Sequence, residues 1–443
     1  LSDRFQLAVR TIRALGRHGH TALLVGGCVR DRLLGIEPKD FDIATSASPA
    51  EIAALFPNAQ LVGAHFGVSL IVESPGVQVP AVQVEVATFR SEGEYSDGRR
   101  PDEVHFVTEP ALDAKRRDFT INGLFEDPIS GQVFDFVDGR ADLARKLVRA
   151  IGDPVRRFYE DHLRMLRAVR FAARLNFEIE PETLAAIRQE ASRITKISAE
   201  RIRDELVRIL TEGNARYGLE LLDSTGLLVH LLPEVKAFQG VEQPPEFHPE
   251  GDVWTHVLMM LDNLRHAPPT LAFGVLLHDV GKPPTFRRAD RIRFDGHAEV
   301  GAAMSEEILQ RLKFSNDDVR QISSLVANHM KFKDVRNMRL STLKRFLRLP
   351  CFEEHLELHR LDCLASNKYT DAYNYVRDKV KEFGNEQLRP ENLINGMDLI
   401  AAGYQPGPVF KEALAAVETA QLEGDVASKE EALTIARKVL ERQ

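Results

Sequence analysis

Hydrophobic positions follow two regimes along this chain. Up to about residue 150, short apolar runs alternate with short stretches of helical spacing; beyond Gly152 the spacing is almost wholly helical. Phe5, Val9, Ile12 and Leu15 predict an amphipathic helix over 3–17. Ala22–Val25 predicts a buried strand, and Gly26-Gly27 then open a helix. Pro49–Phe56 predicts another short helix. Strands are expected at Gln60–Val62, Val68–Glu73 and Val82–Phe89, and a last one at Val133–Val137, ended by Gly139. Within Val82–Phe89 the alternation puts Glu85 on the polar face, opposite Val82, Val84 and Val86. Mixed elements over roughly 130 residues suggest a compact α/β head.

The second regime begins at Pro154, which suits a first helical turn. Phe158, Met165/Leu166, Val169 and Ala172/Ala173 form its apolar stripe, and Glu160, Asp161, Arg164, Arg167 and Arg174 lie largely away from it. Asp161 and Arg164, three apart, are expected to be neighbours on one helix face; for an isolated pair that spacing means an ordinary salt bridge. Further helices are expected at Ala199–Leu210 and Ala215–Leu232, the latter broken at Gly226. Glu242–Gly251, with Pro244, Pro245 and Pro249, reads as a linker. Residues 371–443 read as helices with polar faces.

Composition alters this picture little. The 443 residues are 44% hydrophobic and 28% charged, as in an ordinary soluble globular protein with room for several domains. No apolar run approaches a membrane span. Cys28, Cys351 and Cys363 have neither paired nor metal-site spacing, which suggests a reducing, cytoplasmic setting. No signal peptide is visible, although the first residue is Leu1. The net charge of −8 argues against a surface coated in nucleic acid, yet Arg145–Arg174 holds nine basic and three acidic residues. Such a basic stripe suggests a defined phosphate-binding track.

Candidate chemistry gathers in two places. Gly26 and Gly27 let the backbone approach a phosphate at a strand-to-helix turn, and Arg30 can add a fork of donors. Asp40 and Asp42 are two apart, so in a strand both carboxylates face one spot; such a pair suits magnesium bound together with substrate phosphates. Glu85 is either a third carboxylate beside them or an exposed strand glutamate. Ser91–Pro101 reads as a mobile loop. In Arg116-Arg117-Asp118-Phe119-Thr120-Ile121-Asn122, paired arginines beside Asp and Asn suit triphosphate and ribose contacts, with a solvated charge cluster as the alternative. The second place comprises His256, His278-Asp279, His297, His329 and Asp362. Gly281-Lys282-Pro283-Pro284 supplies the helix end that would let His278 and Asp279 converge on one ion, and histidine with carboxylate suits a divalent metal.

Gly26-Gly27-x-x-Arg30-Asp31 with Asp40-x-Asp42, Arg116-Arg117-Asp118-Phe119-Thr120-x-Asn122, and Glu160-Asp161-x-x-Arg164 resemble the class II tRNA nucleotidyltransferases, the CCA-adding enzymes and their poly(A) polymerase relatives. The histidine and aspartate set resembles the HD phosphohydrolase domain that some bacterial members carry. The resemblance implies an α+β fold: a polymerase-beta-like nucleotidyltransferase head over 1–152, a helical neck that binds RNA and the nucleotide base over 153–240, a helical body with the HD domain over 241–370, and a tRNA-binding helical tail over 371–443. It implies CCA addition to tRNA from CTP and ATP. Asp40 and Asp42 would hold two magnesium ions, with Glu85 as a further catalytic carboxylate. Gly26, Gly27, Arg30, Arg117, Asp118, Asn122, Asp161, Arg164, Arg167 and Arg170 would bind the nucleotide. His256, His278, Asp279 and Asp362 would hold a second divalent metal. A-only addition, poly(A) synthesis and an HD-type phosphohydrolase are the alternatives. The loop Ser91–Pro101 favours full CCA or A addition, and Ala64-His65-Phe66 lacks the basic pair usual in poly(A) polymerases.

Overall fold

The computed structural model describes residues 2–62, 67–73, 81–93, 103–246 and 248–441, without the side chains of 385–386. Ala64-His65-Phe66 and most of Ser91–Pro101 lie outside the described residues. The chain divides into two compact units, Leu1–Lys236 and Ala237–Gln443.

The first unit is built on a seven-stranded mixed sheet. Helix α1 (Asp3–Arg17) starts at Ser2, whose hydroxyl accepts from Phe5 N, and buries Phe5, Leu7, Ala8, Thr11, Ile12 and Leu15. Strands β1 (Ala22–Val25), β3 (Ala59–Leu61), β4 (Val68–Glu73) and β5 (Val82–Thr88) follow the predicted runs closely, whereas β2 (Asp42–Thr45) begins at Asp42 and leaves Asp40 outside the strand expected to hold both carboxylates. Two more strands, Leu124–Asp127 and Gln132–Asp135, form a hairpin; periodicity gave the second and missed the first. The order across the sheet is β3, β4, β5, β2, β1, Leu124–Asp127, Gln132–Asp135. β1 pairs antiparallel with β2, and β2 pairs parallel with β5. Asp42 thereby stands in register with Val25 on one side and Glu85 on the other.

Beyond Gly152 this unit is helical, apart from the two-residue strand Glu178–Ile179. The expected stripe is interrupted. Asp153 caps helix Pro154–Glu160, and Asp161 follows in extended backbone (φ −142°, ψ 103°) before helix Leu163–Leu175 begins.

The second unit is almost wholly helical. Its central helices include Val253–Asp262, Pro269–Leu277, His297–Arg311, Asn316–Asn328 and Phe352–Ala365. Gly281 packs so tightly that a Cβ built there would lie 2.0 Å from the carbonyl oxygen of His297. Two apolar cores lie toward the C-terminus, one around Phe332, Phe346 and Val376, the other around Leu399, Ala413 and Val417.

Candidate active site and a histidine centre

The turn from β1 into helix α2 (Gly27–Leu33) carries Gly26 at φ +75°, ψ −131°, a backbone conformation open to glycine alone. Around it lies a cavity of about 570 Å³, lined among others by Gly26, Gly27, Asp42, Arg117, Asp118 and Asn122 from the sheet end, and by Asp161, Arg164, Arg167 and Arg201 from the helices.

Asp42 marks one side of it. Its carboxyl is pushed up to about 6, first by the protein crowding it, although it keeps an exposed edge, and then by the charge of Glu85; Arg117 pulls the other way and Asp40 adds to the rise. Asp40 stands just before β2 rather than in it, is exposed, and pairs with Arg4 at 2.9 Å. Glu85 is exposed on the polar face of β5. Asp42, crowded by the charges of Glu85 and Asp40 at the edge of an arginine-lined cavity, is the carboxylate that best fits a divalent cation there; Asp40 itself faces Arg4.

The opposite wall is an arginine–carboxylate lattice. Asp118 accepts from Arg167 Nε and Nη2 at 2.8 and 2.6 Å, from Phe119 N at 2.8 Å and from Asn122 Nδ2 at 3.1 Å. Burial raises its pKa, but Arg167 and Asn122 outweigh that and hold it well below the usual carboxylate range. Arg117 donates twice to buried Asp113, at 3.1 and 2.8 Å.

Two expectations change here. Arg30 lines the cavity, but it is 2% exposed and its fork is engaged by protein partners. It donates to Asp31 at 2.8 and 2.6 Å and to Asn122 at 2.6 Å, which ties α2 to the segment carrying Asp118. Arg170 is buried, donates to Glu205 at 3.0 Å and is not among the residues lining the cavity. Helical periodicity could not separate Arg167 from Arg170, because only their partners on other segments turn them apart.

Asp161 and Arg164 both line the cavity, but not as a pair on one helix face. Asp161 accepts from Leu163 N at 3.1 Å and from Arg201 Nη2 at 3.2 Å. Arg164 donates to Glu160 at 2.8 Å and to the Arg157 carbonyl at 3.0 Å. Arg201 was missed in the sequence; it sits in helix Ala199–Thr211, whose apolar stripe alone drew notice.

In the second unit four histidines converge. His297 Nε2 lies 3.2 Å from His329 Nε2, and both lie 3.7 Å from Asp279 Oδ1. His278 Nε2 approaches Asp279 Oδ2 to 3.1 Å, and His256 Nε2 approaches Asp362 to 3.2 Å. His256 Nε2, His278 Nε2 and Asp279 Oδ2 are buried yet make no aligned hydrogen bond. Buried polar atoms left this way fit a cation better than an apolar core. His256, His278 and Asp362 form one group of ligand-type atoms within 4.8 Å of one another, and Asp279, His297 and His329 form a second. Lys282 Nζ, 2.8 Å from Asp279 Oδ2, closes the rim. Burial holds His329 down at about 3; it lowers His256 too, but the Asp362 carboxylate near its Nε2 and the hydrogen bond from its Nδ1 to Glu250 outweigh burial and raise it to about 9. Glu250 comes from Glu242–Gly251. That segment is no loose linker, since Glu242 and Asp252 form a β-bridge across it.

Residues 22–149 match the family model described as "Poly A polymerase head domain", and 176–239 match "Probable RNA and SrmB- binding site of polymerase A". A CCA-adding enzyme of Levilactobacillus brevis is 47% identical over 229 residues, which are 51% of this chain and 55% of that protein. The chain thus spans about half the length of that relative. A CCA-adding enzyme of Limosilactobacillus fermentum is 33% identical over 97% of this chain and 95% of its own length. The crystal structure of the Bacillus stearothermophilus CCA-adding enzyme in complex with CTP superposes with a TM-score of 0.74 at 28% identity, over 100% of this chain and 98% of that one. With a relative this similar along nearly its whole length, and a head cavity that gathers the carboxylates and arginines its motifs announce, the chain belongs to the CCA-adding enzyme family.

Proposed function

We propose that this chain adds C and A to the 3′ end of tRNA without a nucleic-acid template, using CTP and ATP. The observation that carries the reading is the shared cavity: Asp42 stands at its sheet end, while Asp161 and Arg164 stand in its helical wall. Asp40 and Asp42, with Glu85 beside them, would hold two magnesium ions. Bound there, the ions would supply charge neutralisation at the triphosphate and lower the pKa of the RNA 3′ hydroxyl. Gly26 and Gly27 bring backbone close to the triphosphate, and Arg117 adds charge. Asp118, Asn122 and Arg167 would form the ribose side, with Arg30 lining the cavity beside them and bonded to Asn122 and Asp31.

Base choice follows from donors and acceptors. Cytosine and adenine both present an exocyclic amino group, to which the Asp161 carboxylate can offer an acceptor. Uracil and guanine present a carbonyl there, which sets lone pair against lone pair. Arg164 donates to the ring acceptors beside that edge. One residue pair thus accepts C and A and refuses the other two.

The test is single-nucleotide extension of tRNA transcripts lacking all or part of their CCA end, with each triphosphate separately. Asp42→Ala should lose C and A addition together, by about 10³-fold or more, the scale of removing an essential charge-stabilising contact. Near-normal A addition in that variant would sink the shared site.

A second reading concerns the histidine centre, where buried Nε2 atoms and carboxylates converge without well-aligned hydrogen bonds, which favours a divalent metal held by His256, His278, Asp279 and Asp362, with phosphoester hydrolysis as its chemistry. A cytoplasmic setting is supported by three cysteines, all free. Among the described residues no helix is long and apolar enough to cross a membrane.

A further inference from the structure

The four histidines of the second unit are oriented by two different devices. His278 Nδ1 lies 2.9 Å from the Val275 carbonyl, His297 Nδ1 2.9 Å from that of Phe294, and His329 Nδ1 2.6 Å from that of Val326. Each bond runs to the carbonyl three residues earlier and turns Nε2 toward the centre. All three histidines stand at helix ends, where backbone carbonyls lack a helical partner or belong to the preceding turn. His256 does not use this device. It lies within helix Val253–Asp262, and its own N–H takes the Asp252 carbonyl at 3.1 Å. Its Nδ1 instead donates at 2.6 Å to Glu250 Oε1. The same oxygen accepts from His248 Nδ1 at 2.8 Å, and the Glu250 side chain is 3% exposed. Gly240 N donates to Asp252 at 2.8 Å and Val253 N to the Val241 carbonyl at 3.0 Å, which closes the loop that delivers Glu250.

We propose that Glu250 is the positioning residue of the histidine centre: it fixes the ring of His256 so that Nε2 faces the divalent cation, and its negative charge strengthens that nitrogen as a ligand. The inference rests on reading the centre as a metal site. A carboxylate behind a ligating imidazole acts in this way, and its loss costs about 10–100-fold in metal affinity. Glu250 touches no substrate and acts only through His256.

The experiment is equilibrium dialysis of the full chain against manganese(II) alone, in an Asp40→Ala/Asp42→Ala background that removes the head carboxylates. The background protein should bind the cation, and His278→Ala should abolish that binding. Adding Glu250→Ala should weaken it about 10–100-fold. Glu250→Gln, which keeps an oxygen acceptor without the charge, should fall between the two. A contribution to folding alone would lower the metal-free melting temperature without ranking affinities in the order Glu, Gln, Ala. Affinity unchanged in folded Glu250→Gln and Glu250→Ala, with His278→Ala still abolishing binding, overturns the role of Glu250 and leaves the metal site standing. No binding in the background protein overturns both.

Discussion

Asp161 holds its carboxylate in extended backbone between two helices, where Leu163 N and Arg201 aim it into the cavity. On the proposed reading of base choice, removing it takes away the group that would repel O4 of uracil and O6 of guanine while leaving Asp42 in place. Asp161→Ala should therefore still transfer, slowly, and misincorporate U or G. The discrimination lost should be about 1–3 kcal/mol, the scale of a buried polar mismatch. Extension with each of the four triphosphates reads this directly. Full preference for C and A in a slower enzyme would move base selection elsewhere. Asp118 makes a different prediction. Its folded-state pKa is depressed, so its stabilisation is present above the unfolded value, about 4, and fades as pH falls below it. Asp118→Asn should cost about 2 kcal/mol near neutrality, since hydrogen bonds to a charged group are lost. Urea unfolding at a series of acid pH values should also show a shallower fall in stability for the variant than for the parent.

Among elements, Gly281 brings two segments of the histidine centre into close backbone contact. Nothing flexible can yield to a Cβ there, because the atom it meets is the His297 backbone oxygen. Gly281→Ala should shift the start of helix His297–Arg311, lower the melting temperature and weaken cation binding at the centre, at an overpacking cost of about 1–3 kcal/mol. Calorimetry with and without manganese(II) measures both, and an unchanged melting profile would contradict the close approach. Such a contact joins segments distant in sequence, and distance in sequence is what limited the sequence reading. The β1 run, the Gly-Gly turn and the Asp-x-Asp spacing were legible because each lies within one local pattern. The register that sets Glu85 beside Asp42 was not, since it depends on which strands become neighbours. The break at Asp161 was hidden because the apolar stripe runs on across it. Prolines made Glu242–Gly251 look like a linker, although the β-bridge between Glu242 and Asp252 closes it into a built loop.

For the whole molecule, the two candidate sites belong to different compact units. Every residue lining the head cavity lies within Leu1–Lys236, and the converging histidines with Asp279 and Asp362 lie within Ala237–Gln443. Each unit also supplies its own charge compensation, with Arg167 against Asp118 in the first and Lys282 against Asp279 in the second. The double variant His278→Ala/Asp279→Ala in the full chain should therefore lose cation-dependent phosphoester hydrolysis while nucleotide addition to tRNA stays at the parent rate. The two assays are run on one folded preparation, checked by its melting profile. Loss of CCA addition with hydrolysis retained would show that the second unit serves the transfer reaction and that the two chemistries are not independent.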